Sequence, residues 1–172
     1  MEFKETTKKK VYLYNGKILS LKRDEVILPD GTESIREIVE HKGGASVLCV
    51  YKGKVLLVKQ FRYAYMEEVY EIPAGLIDEG ETPDKAAIRE LEEEGGIKAE
   101  KVIKLFDIYP SPGYTNEIIR VFRAKKLKKS SQKLDDGEFL TAKWYKKRQV
   151  KKMLKEGLIK DAKTLLALKT IL

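Results

Sequence analysis

A segment rich in glutamate, between Gly75 and Ile97, has the residue types and spacing best suited to chemistry. Its four carboxylates of interest belong to Glu81, Glu90, Glu93 and Glu94. On a helix, at about 100° per residue, the last three project from one side. Like charges one turn apart destabilise a helix by roughly 0.2–0.5 kcal/mol per pair, and by more where water is excluded. We therefore expect a cation between Glu90 and Glu94.

Local signals predict the helix that carries these carboxylates. Thr82 can cap the first amides, Pro83 suits the first helical position, and Gly95-Gly96 offers a left-handed stop. We predict a helix from Pro83 to about Glu94. Its apolar side should contain Ile88 and Leu91, with Ala87 at the border.

Oxygen ligands in this number are typical of a site for a hard divalent cation. Magnesium is commonly held by one or two carboxylates together with water and substrate phosphate. The segment therefore predicts half of such a site. The alternative is a solvated acidic helix, because 36% of the residues in this chain are charged.

The composition predicts one folded domain with a small appendage. The chain has 172 residues, of which 42% are hydrophobic. It contains no run of roughly 20 apolar residues, and its charged start does not resemble a signal peptide, so we expect a cytoplasmic protein without membrane association. Cys49 lies in an apolar run and is predicted to be a core residue rather than a catalytic thiol. Since His41 is the only histidine, a site with several histidine ligands is excluded.

The net charge of +8, from 35 basic and 27 acidic residues, favours an anionic partner. That partner is either a small substrate or a polyanion. Much of the positive charge lies in Lys125 to Lys133 and Lys146 to Lys155, without the interleaved aromatic residues of a single-strand binding surface. We interpret these stretches as solvated faces and do not expect nucleic acid as the main partner.

Alternating strands and helices predict a mixed sheet sandwiched by helices, which is an α/β (α+β) fold. The first 41 residues form a small β-rich arm with hairpin turns at Asn15-Gly16 and Asp30-Gly31. Later strands are predicted at Ala45 to Tyr51, Lys54 to Phe61, Glu68 to Ile72, Val102 to Tyr109, Glu117 to Ala124 and Leu140 to Trp144. Two terminal helices are expected at Lys147 to Leu154 and Lys160 to Ile171.

The glutamate segment resembles the box of the Nudix hydrolases, Gly-x5-Glu-x7-Arg-Glu-(apolar)-x-Glu-Glu-x-Gly-(apolar). Gly75, Glu81, Arg89-Glu90-Leu91, Glu93-Glu94 and Gly96-Ile97 match every specified position. The resemblance implies a Nudix-type α/β/α sandwich and a hydrolase that depends on a divalent cation, Mg²⁺ or alternatively Mn²⁺. Gly95 occupies an unspecified position where many relatives have threonine or alanine, and we expect it to loosen the end of the helix.

The resemblance extends to the ADP-ribose pyrophosphatase branch of this family. It is carried by Arg36 to His41, Val58 to Tyr63, Glu71 to Gly75, Ser111 to Glu117 and Ile159 to Thr164. In that branch a proline follows the box by fifteen or sixteen residues, and Pro112 lies fifteen positions after Ile97. The resemblance therefore implies cleavage of ADP-ribose to AMP and ribose 5-phosphate.

The same resemblance implies roles for the residues of the box. Glu90 and Glu94 would be the principal metal ligands, Glu93 a further ligand or a water-orienting group, and the Ala74 backbone carbonyl another ligand. Gly75 would allow a tight turn, while Glu81 and Arg89 would hold the loop and the helix together. The general base would come from the acidic loop at Asp135 to Glu138, with Glu138 the first choice, Asp135 the second and Glu93 the fallback.

Other positions match substrate-binding and dimer-forming parts of the relatives. Arg36 and Arg62 correspond to arginines that contact the diphosphate, to which a guanidinium can bind through two hydrogen bonds. Glu71 would accept hydrogen bonds from the nucleoside end, and Pro112 marks the substrate loop. The resemblance also implies a homodimer in which residues 1–41 reach the partner and residues 42–172 form the Nudix domain, so that Arg36 serves the neighbouring subunit.

The sequence leaves three functions open. The first is hydrolysis of ADP-ribose, and the second is the same chemistry on another nucleoside diphosphate sugar such as GDP-mannose. The third is a noncatalytic binder of ADP-ribose or RNA. Against the third stand the intact Glu90, Glu93 and Glu94, because a binding protein does not require such a costly cluster.

Overall fold

A computed structural model describes residues 3–172, which form two compact units. One unit comprises the chain up to Gly43 together with Tyr109–Ile118, and the other comprises Gly44–Ile108 with Ile119–Leu172. The boundary that we place between residues 41 and 42 stays a prediction. Within the described part of the chain, no helix has both the length and the apolar character needed to cross a membrane.

The first unit is built on one antiparallel sheet of four strands, β1 (Thr6–Lys9), β2 (Tyr12–Asn15), β3 (Leu19–Ile27) and β4 (Glu33–His41). β3 pairs with β4 along its whole length, while β1 and β2 pair with different ends of β3. The turn at Asp30-Gly31 forms as predicted, with Gly31 at φ 87°. β1 was not predicted, because Thr-Thr-Lys-Lys has no alternation of apolar and polar residues.

The second unit contains eight further strands and three α-helices. The strands are β5 (Gly44–Leu48), β6 (Val50–Tyr51), β7 (Lys54–Arg62), β8 (Glu67–Glu71), β9 (Ala74–Leu76), β10 (Ile97–Ile108), β11 (Ile119–Lys129) and β12 (Leu140–Lys146). The helices are α1 (Pro83–Gly95), α2 (Lys147–Lys155) and α3 (Ala162–Lys169), and a short 3₁₀ turn covers Tyr63–Tyr65.

These eight strands form two sheets. The first has the order β10-β11-β5-β9, in which β11 and β5 are parallel and the other neighbours antiparallel. The second has the order β12-β7-β6, with β8 also paired to β7, and is antiparallel throughout. The mixed sheet expected from the sequence is therefore confirmed.

Two apolar cores separate the sheets from the helices. In one, Ala86, Ala87 and Leu91 of α1 pack with Val47 and Cys49. The other gathers residues of α2 and α3 with the opposite faces of the strands: Leu48, Val55, Leu57, Ile72, Val150, Met153, Ala167 and Leu168. Burial raises the pKa of the Cys49 thiol to about 12, so this cysteine is a core residue rather than a nucleophile, as predicted.

Three details of α1 differ from the sequence prediction. Thr82 is the N-cap residue, but its side chain makes no capping hydrogen bond. Ile88 is only partly buried, and the apolar face is formed by Ala86, Ala87 and Leu91. The helix includes Gly95 and stops at Gly96, which has φ 62°. A Cβ at Gly95 would lie 2.7 Å from Cδ2 of Leu56, so this glycine permits close packing instead of loosening the helix end.

Candidate active site

The centre of the candidate site is the contact between α1 and β9. Glu90 is nearly buried, and its carboxylate lies directly against the backbone of Gly75. A Cβ at position 75 would be 2.0 Å from Oε1 of Glu90 and 2.7 Å from Oε2. The reason for a glycine here is thus the close approach of a carboxylate. Gly75 lies within β9, so our expectation of a tight turn was wrong.

Glu94 lies one helical turn further along α1 and is 4% exposed. Its Oε2 accepts a hydrogen bond of 2.9 Å from the backbone amide of Ala74. Burial raises the pKa of Glu94 to about 8, although the Ala74 amide acts in the opposite direction, and the charges of Glu90 and Glu138 raise it further. Two adjacent backbone groups of β9 therefore each face one carboxylate of α1.

The Glu90 carboxyl also has a raised pKa, of about 7, chiefly because it is buried. Arg89 opposes this effect through its charge and through a 2.7 Å hydrogen bond to Oε1 of Glu90, while the charges of Glu93 and Glu138 raise the pKa. Like charges in a poorly hydrated place shift a carboxyl toward its neutral form. Neighbouring protein charges therefore leave the Glu90–Glu94 pair short of positive charge.

Arg89 holds the start of the site together. It donates to both oxygens of Glu81 at 3.0 and 2.9 Å, and to the carbonyl of Leu76 at 2.9 Å. A further bond of 2.9 Å reaches Glu93. Arg89 and Glu81 therefore connect the loop after β9 to α1. The hydrogen bonds with Glu81 are the main cause of the raised pKa of Arg89, so the guanidinium stays charged.

The donor set fits a hard divalent cation. Glu90 and Glu94 are buried carboxylates with raised pKa values, and the missing side chain of Gly75 makes room for one of them. All available donors are oxygens, as Mg²⁺ and similar ions require. Within residues 3–172, no three His, Cys, Asp or Glu side chains already form a metal-binding group. Instead, the carboxylates of Glu90 and Glu93 accept hydrogen bonds from Arg89, and that of Glu94 accepts one from the Ala74 amide.

The acidic loop that precedes β12 lies within electrostatic range of these carboxylates. The charge of Glu138 contributes to the raised pKa of both Glu90 and Glu94. Glu138 is exposed, and its backbone amide donates to the carbonyl of Asp135 at 3.0 Å in a tight turn. Gly137 has φ 87° within that turn. Glu138 is thus an exposed carboxylate with a Coulombic effect on the buried pair, whereas Asp135 is not among the main causes of either raised pKa.

A second charged network lies at the end of β7. Arg62 donates to both oxygens of Glu71, at 2.6 and 2.8 Å. Lys163 of α3 donates to Oε2 of Glu71 and, at 2.9 Å, to Asp161. Burial would raise the pKa of Glu71, but the hydrogen bond from Arg62 and the charge of Lys163 outweigh it and lower that pKa. Glu71 is therefore a buried, ionised partner of two cations.

This network forms one wall of a cavity of about 410 Å³. The lining includes Arg62, Tyr63, Tyr65, Glu71, Lys160 and Lys163. Arg62 and Glu71 were predicted from the sequence as substrate-binding residues, whereas Asp161, Lys163 and Thr164 had no predicted role. Asp161 is the N-cap of α3 and accepts from the amide of Thr164 at 2.9 Å. The Asp-x-x-Thr spacing is a helix-start signal that sequence analysis can detect.

The remaining predicted residues, Arg36 and Pro112, belong to the first unit. The Arg36 guanidinium donates to both carboxylate oxygens of Glu5, to the hydroxyl of Ser34 and to the carbonyl of Ile35. Pro112 lies in a turn where the carbonyl of Ser111 accepts from the amides of Tyr114 and Thr115, both at 3.2 Å. The glutamates, Arg62 and Glu71 all lie in the second unit.

Comparison with known proteins decides the family. Residues 40–168 match the NUDIX domain, and residues 5–39 match the nucleoside diphosphate sugar hydrolase N-terminal domain. The chain belongs to the Nudix family. Members of this family generally use divalent metal ions, which agrees with the oxygen-rich donor set on α1.

Relatives match this Nudix chain along most of its length. An ADP-ribose pyrophosphatase of Bacillus subtilis (strain 168) is 40% identical, with 95% of this chain and 90% of the relative covered. A methanol dehydrogenase activator of Bacillus methanolicus is 37% identical, with 96% and 91% covered. A GDP-mannose pyrophosphatase of Yersinia enterocolitica serotype O:8 is 33% identical, with 84% and 82% covered.

A solved structure supports the fold assignment. The crystal structure of an ADP compounds hydrolase has a TM-score of 0.85 to this Nudix protein, with 98% of this chain and 92% of that chain covered. The two sequences are 20% identical, so this similarity concerns the fold. The predicted α/β/α sandwich of the family is confirmed.

Proposed function

We propose that this Nudix hydrolase cleaves ADP-ribose to AMP and ribose 5-phosphate with the help of Mg²⁺. The observation that carries the proposal is the burial of Glu90 and Glu94 against Ala74 and Gly75, which leaves two adjacent carboxylates short of positive charge. The choice of ADP-ribose is supported by the 40% identical relative that bears this activity in its name.

The cation would be held by Glu90, Glu94, the Ala74 carbonyl and, as a further ligand, Glu93. When bound, it would screen the phosphates and lower the pKa of the attacking water. Arg89 keeps the Glu90 and Glu93 carboxylates close to each other through bonds of 2.7 and 2.9 Å. The carboxylates of α1 thereby form a negatively charged site, which would repel the substrate phosphates unless a cation lies between them.

A general base must remove a proton from the attacking water, and we assign this role to Glu138. Its charge acts on both Glu90 and Glu94, and its carboxylate is exposed, with one long hydrogen bond of 3.4 Å from the amide of Asp135. In proteins without bound substrate, catalytic hydrogen bonds are often long, and they shorten when the substrate binds. Glu93 is the alternative base, and Asp135 is less well supported because it is not among the main causes of either raised pKa.

Two arginines are proposed to bind the diphosphate. The side chain of Arg62 is 42% exposed and lines the cavity, with two of its nitrogens fixed by Glu71. Glu71 holds Arg62 in place, and its Oε1 retains a lone pair for a substrate hydroxyl. Arg36 would exchange its bonds with Glu5 for a phosphate, and Pro112 would shape the substrate loop.

We further propose that the protein acts in the cytoplasm as a homodimer with exchanged N-terminal arms. The arm exposes large apolar side chains that a partner surface would cover. These include Tyr12, Leu13, Tyr14, Ile18 and Ile35, each at least 45% exposed. A dimer of this kind would bring Arg36 to the site of the neighbouring subunit.

A substrate panel tests the function directly. Purified protein is incubated with Mg²⁺ and with ADP-ribose, GDP-mannose, UDP-glucose or NADH, and the products are separated by ion-exchange chromatography. We expect AMP and ribose 5-phosphate from ADP-ribose at a kcat/KM at least about tenfold above the other compounds. Comparable turnover across the panel would contradict the ADP-ribose assignment.

The panel also distinguishes the other two functions. GDP-mannose is the alternative substrate because a 33% identical relative is a GDP-mannose pyrophosphatase, but that relative is less similar than the ADP-ribose pyrophosphatase. Binding without turnover would favour a noncatalytic protein. Affinity for RNA would fall steeply between low and high salt, whereas hydrolysis of a small substrate should change much less.

A further inference from the structure

Lys163 is a lysine in an unusual position, because it is only 7% exposed. Lysine is almost never fully buried unless it is paired. Here the ammonium group donates to Oε2 of Glu71 and to Oδ1 of Asp161. Neither the proposed chemistry nor the proposed substrate contacts give this lysine a role, although it lines the same cavity as Arg62.

The charges of the network explain what Lys163 adds. Arg62 and Lys163 carry two positive charges, and Glu71 and Asp161 carry two negative charges. Without Lys163 the group would have an excess negative charge, and Glu71 would neutralise Arg62 alone. Anionic substrates would then meet a wall of the cavity with little attraction for phosphate. Lys163 therefore leaves the charge of Arg62 available to a ligand.

The network also fixes its own position relative to the core. The Thr164 hydroxyl donates to Asp161 at 2.6 Å and accepts from the amide of Ile72 at 2.8 Å. Glu71 and Ile72 are neighbours in the chain. Side chains of α3 therefore bind two successive residues at the end of β8, Lys163 through the Glu71 carboxylate and Thr164 through the Ile72 amide. The Nη1 atom of Arg62 forms no hydrogen bond with any residue from 3 to 172 and points its donors away from Glu71.

We propose that Lys163 is a positioning residue for the substrate diphosphate. It shares the carboxylate of Glu71, so that Arg62 is held in one orientation and yet keeps enough positive charge to bind phosphate. Lys163 does not touch the substrate. The inference rests on the proposed function, because it assumes an anionic substrate at Arg62, and it adds a determinant of affinity outside the glutamate box.

Two lysines of the same cavity provide a matched test. Lys160 also lines the cavity, but it is exposed and pairs at 3.0 Å only with Glu67. Lys163→Met and Lys160→Met each remove one positive charge. We expect Lys163→Met to raise KM for ADP-ribose about tenfold with kcat within about twofold, and Lys160→Met to raise KM by less than about threefold. An equal rise in KM for both variants would mean that Lys163 acts only through the overall charge of the cavity, and it would overturn the proposal.

A double variant keeps the test valid if Lys163→Met folds poorly. If Lys163 acts through Glu71, then Glu71→Gln/Lys163→Met should have a KM within about twofold of Glu71→Gln alone. A further rise of about fivefold or more would show that Lys163 acts independently and would contradict the inference. Thermal unfolding of every variant confirms that the compared proteins are folded.

Calorimetric binding of ADP-ribose in EDTA separates this inference from the proposed function. Lys163→Met should weaken binding by the same factor by which it raises KM. If the wild-type protein binds ADP-ribose but does not hydrolyse it, the proposed function fails while the effect on binding still tests Lys163. If hydrolysis is normal and the Lys163→Met protein binds like wild type, the inference alone fails.

Discussion

At the scale of single residues, the site is defined by carboxylates that the protein itself does not neutralise. Glu94 is 4% exposed, and within residues 3–172 its carboxylate accepts a hydrogen bond only from the neutral amide of Ala74. A buried carboxylate with so little support costs stability when it is ionised. Arg89 offsets part of this cost at Glu90, to which it donates a hydrogen bond. Within residues 3–172 it forms no direct bond with Glu94.

The raised pKa of Glu94 predicts how stability depends on pH. Its pKa is about 8 in the folded protein, whereas the ordinary value for a solvated glutamate is 4.5. Between these values the folded state holds a proton that the unfolded state has lost, so stability falls as the pH rises from about 4.5 to about 8 and is constant above that. Without metal, we expect Glu94→Gln to match wild type near pH 4 and to be more stable by roughly 3–5 kcal/mol near pH 8.5.

Urea unfolding in EDTA at both pH values measures this difference. Glu79→Gln is the control for the substitution itself, since Glu79 is exposed. Added Mg²⁺ should stabilise the wild-type protein at high pH more than the Glu94→Gln protein, because the cation replaces the missing positive charge. Equal urea midpoints for wild type and Glu94→Gln at both pH values would refute the assignment of Glu94 as a strained carboxylate.

Sequence alone identifies these glutamates because the box specifies them one by one, but it does not give the reasons for their neighbours. We expected Gly75 to serve a turn, whereas the structure shows that it makes room for Glu90. Lys163 received no role, because its partners Glu71 and Asp161 come together only through packing of α3 on β8. Contacts between distant segments leave no periodic pattern in the chain.

At the scale of elements, the site depends on how closely α1 approaches β9. The packing of α1 on the strands depends on a glycine at each end of the box. Gly75 admits the Glu90 carboxylate, and Gly95 admits Leu56 of the core. The two glycines therefore have different functions, one for chemistry and one for packing, which substitution by alanine can separate.

Gly75→Ala should abolish most activity while the protein stays folded. The new Cβ would lie 2.0 Å from Oε1 of Glu90, which must move, and a carboxylate at the end of a flexible side chain can move without shifting the helix. We expect kcat to fall at least about a hundredfold, with a loss of stability below about 1 kcal/mol. Steady-state kinetics and thermal unfolding measure the two effects.

Gly95→Ala is the matched substitution on the same helix. Its Cβ would lie 2.7 Å from Leu56, a fully buried side chain, so the expected effect is a loss of roughly 1–3 kcal/mol in stability with kcat nearly unchanged. If Gly75→Ala keeps wild-type kcat, the position of Glu90 against β9 is not required for catalysis.

The limits of sequence reasoning are also visible among the elements. Helix α1 was predicted almost to the residue and the turn between β3 and β4 was predicted at Asp30-Gly31, because caps, turns and periodicity all agree there. β9 was missed, since three residues of Ala-Gly-Leu have no strand signal of their own and pair only because β5 lies beside them. β10 begins earlier and β11 ends later than predicted, because the two strands pair with each other beyond their apolar parts.

At the scale of the whole molecule, the residues with proposed roles are divided between the two units of the chain. The proposed cation ligands and Arg62 belong to the second unit, whereas Arg36 and Pro112 belong to the first. In a two-fold symmetric dimer with exchanged arms, each site would combine the glutamates of one subunit with Arg36 of the other. A single chain would then not be active by itself.

Mixing two inactive variants tests this arrangement. Arg36→Ala lacks the proposed diphosphate contact and Glu94→Gln lacks a proposed cation ligand, so each homodimer should be nearly inactive. If the arms are exchanged, a mixed dimer has one site with both defects and one site with neither. Random reassociation after denaturation and refolding should then restore about a quarter of wild-type activity, because half of the dimers are mixed and each has one intact site.

The alternative arrangement has a different outcome. If Arg36 serves its own subunit, every site in the mixture carries one defect, and at every mixing ratio the activity equals the average of the two parents weighted by their proportions. Refolded wild-type protein sets the reference, and size-exclusion chromatography with light scattering establishes that dimers have formed. Because the two substituted residues lie in different units, recovery of activity would show that the two units of one working site come from different chains.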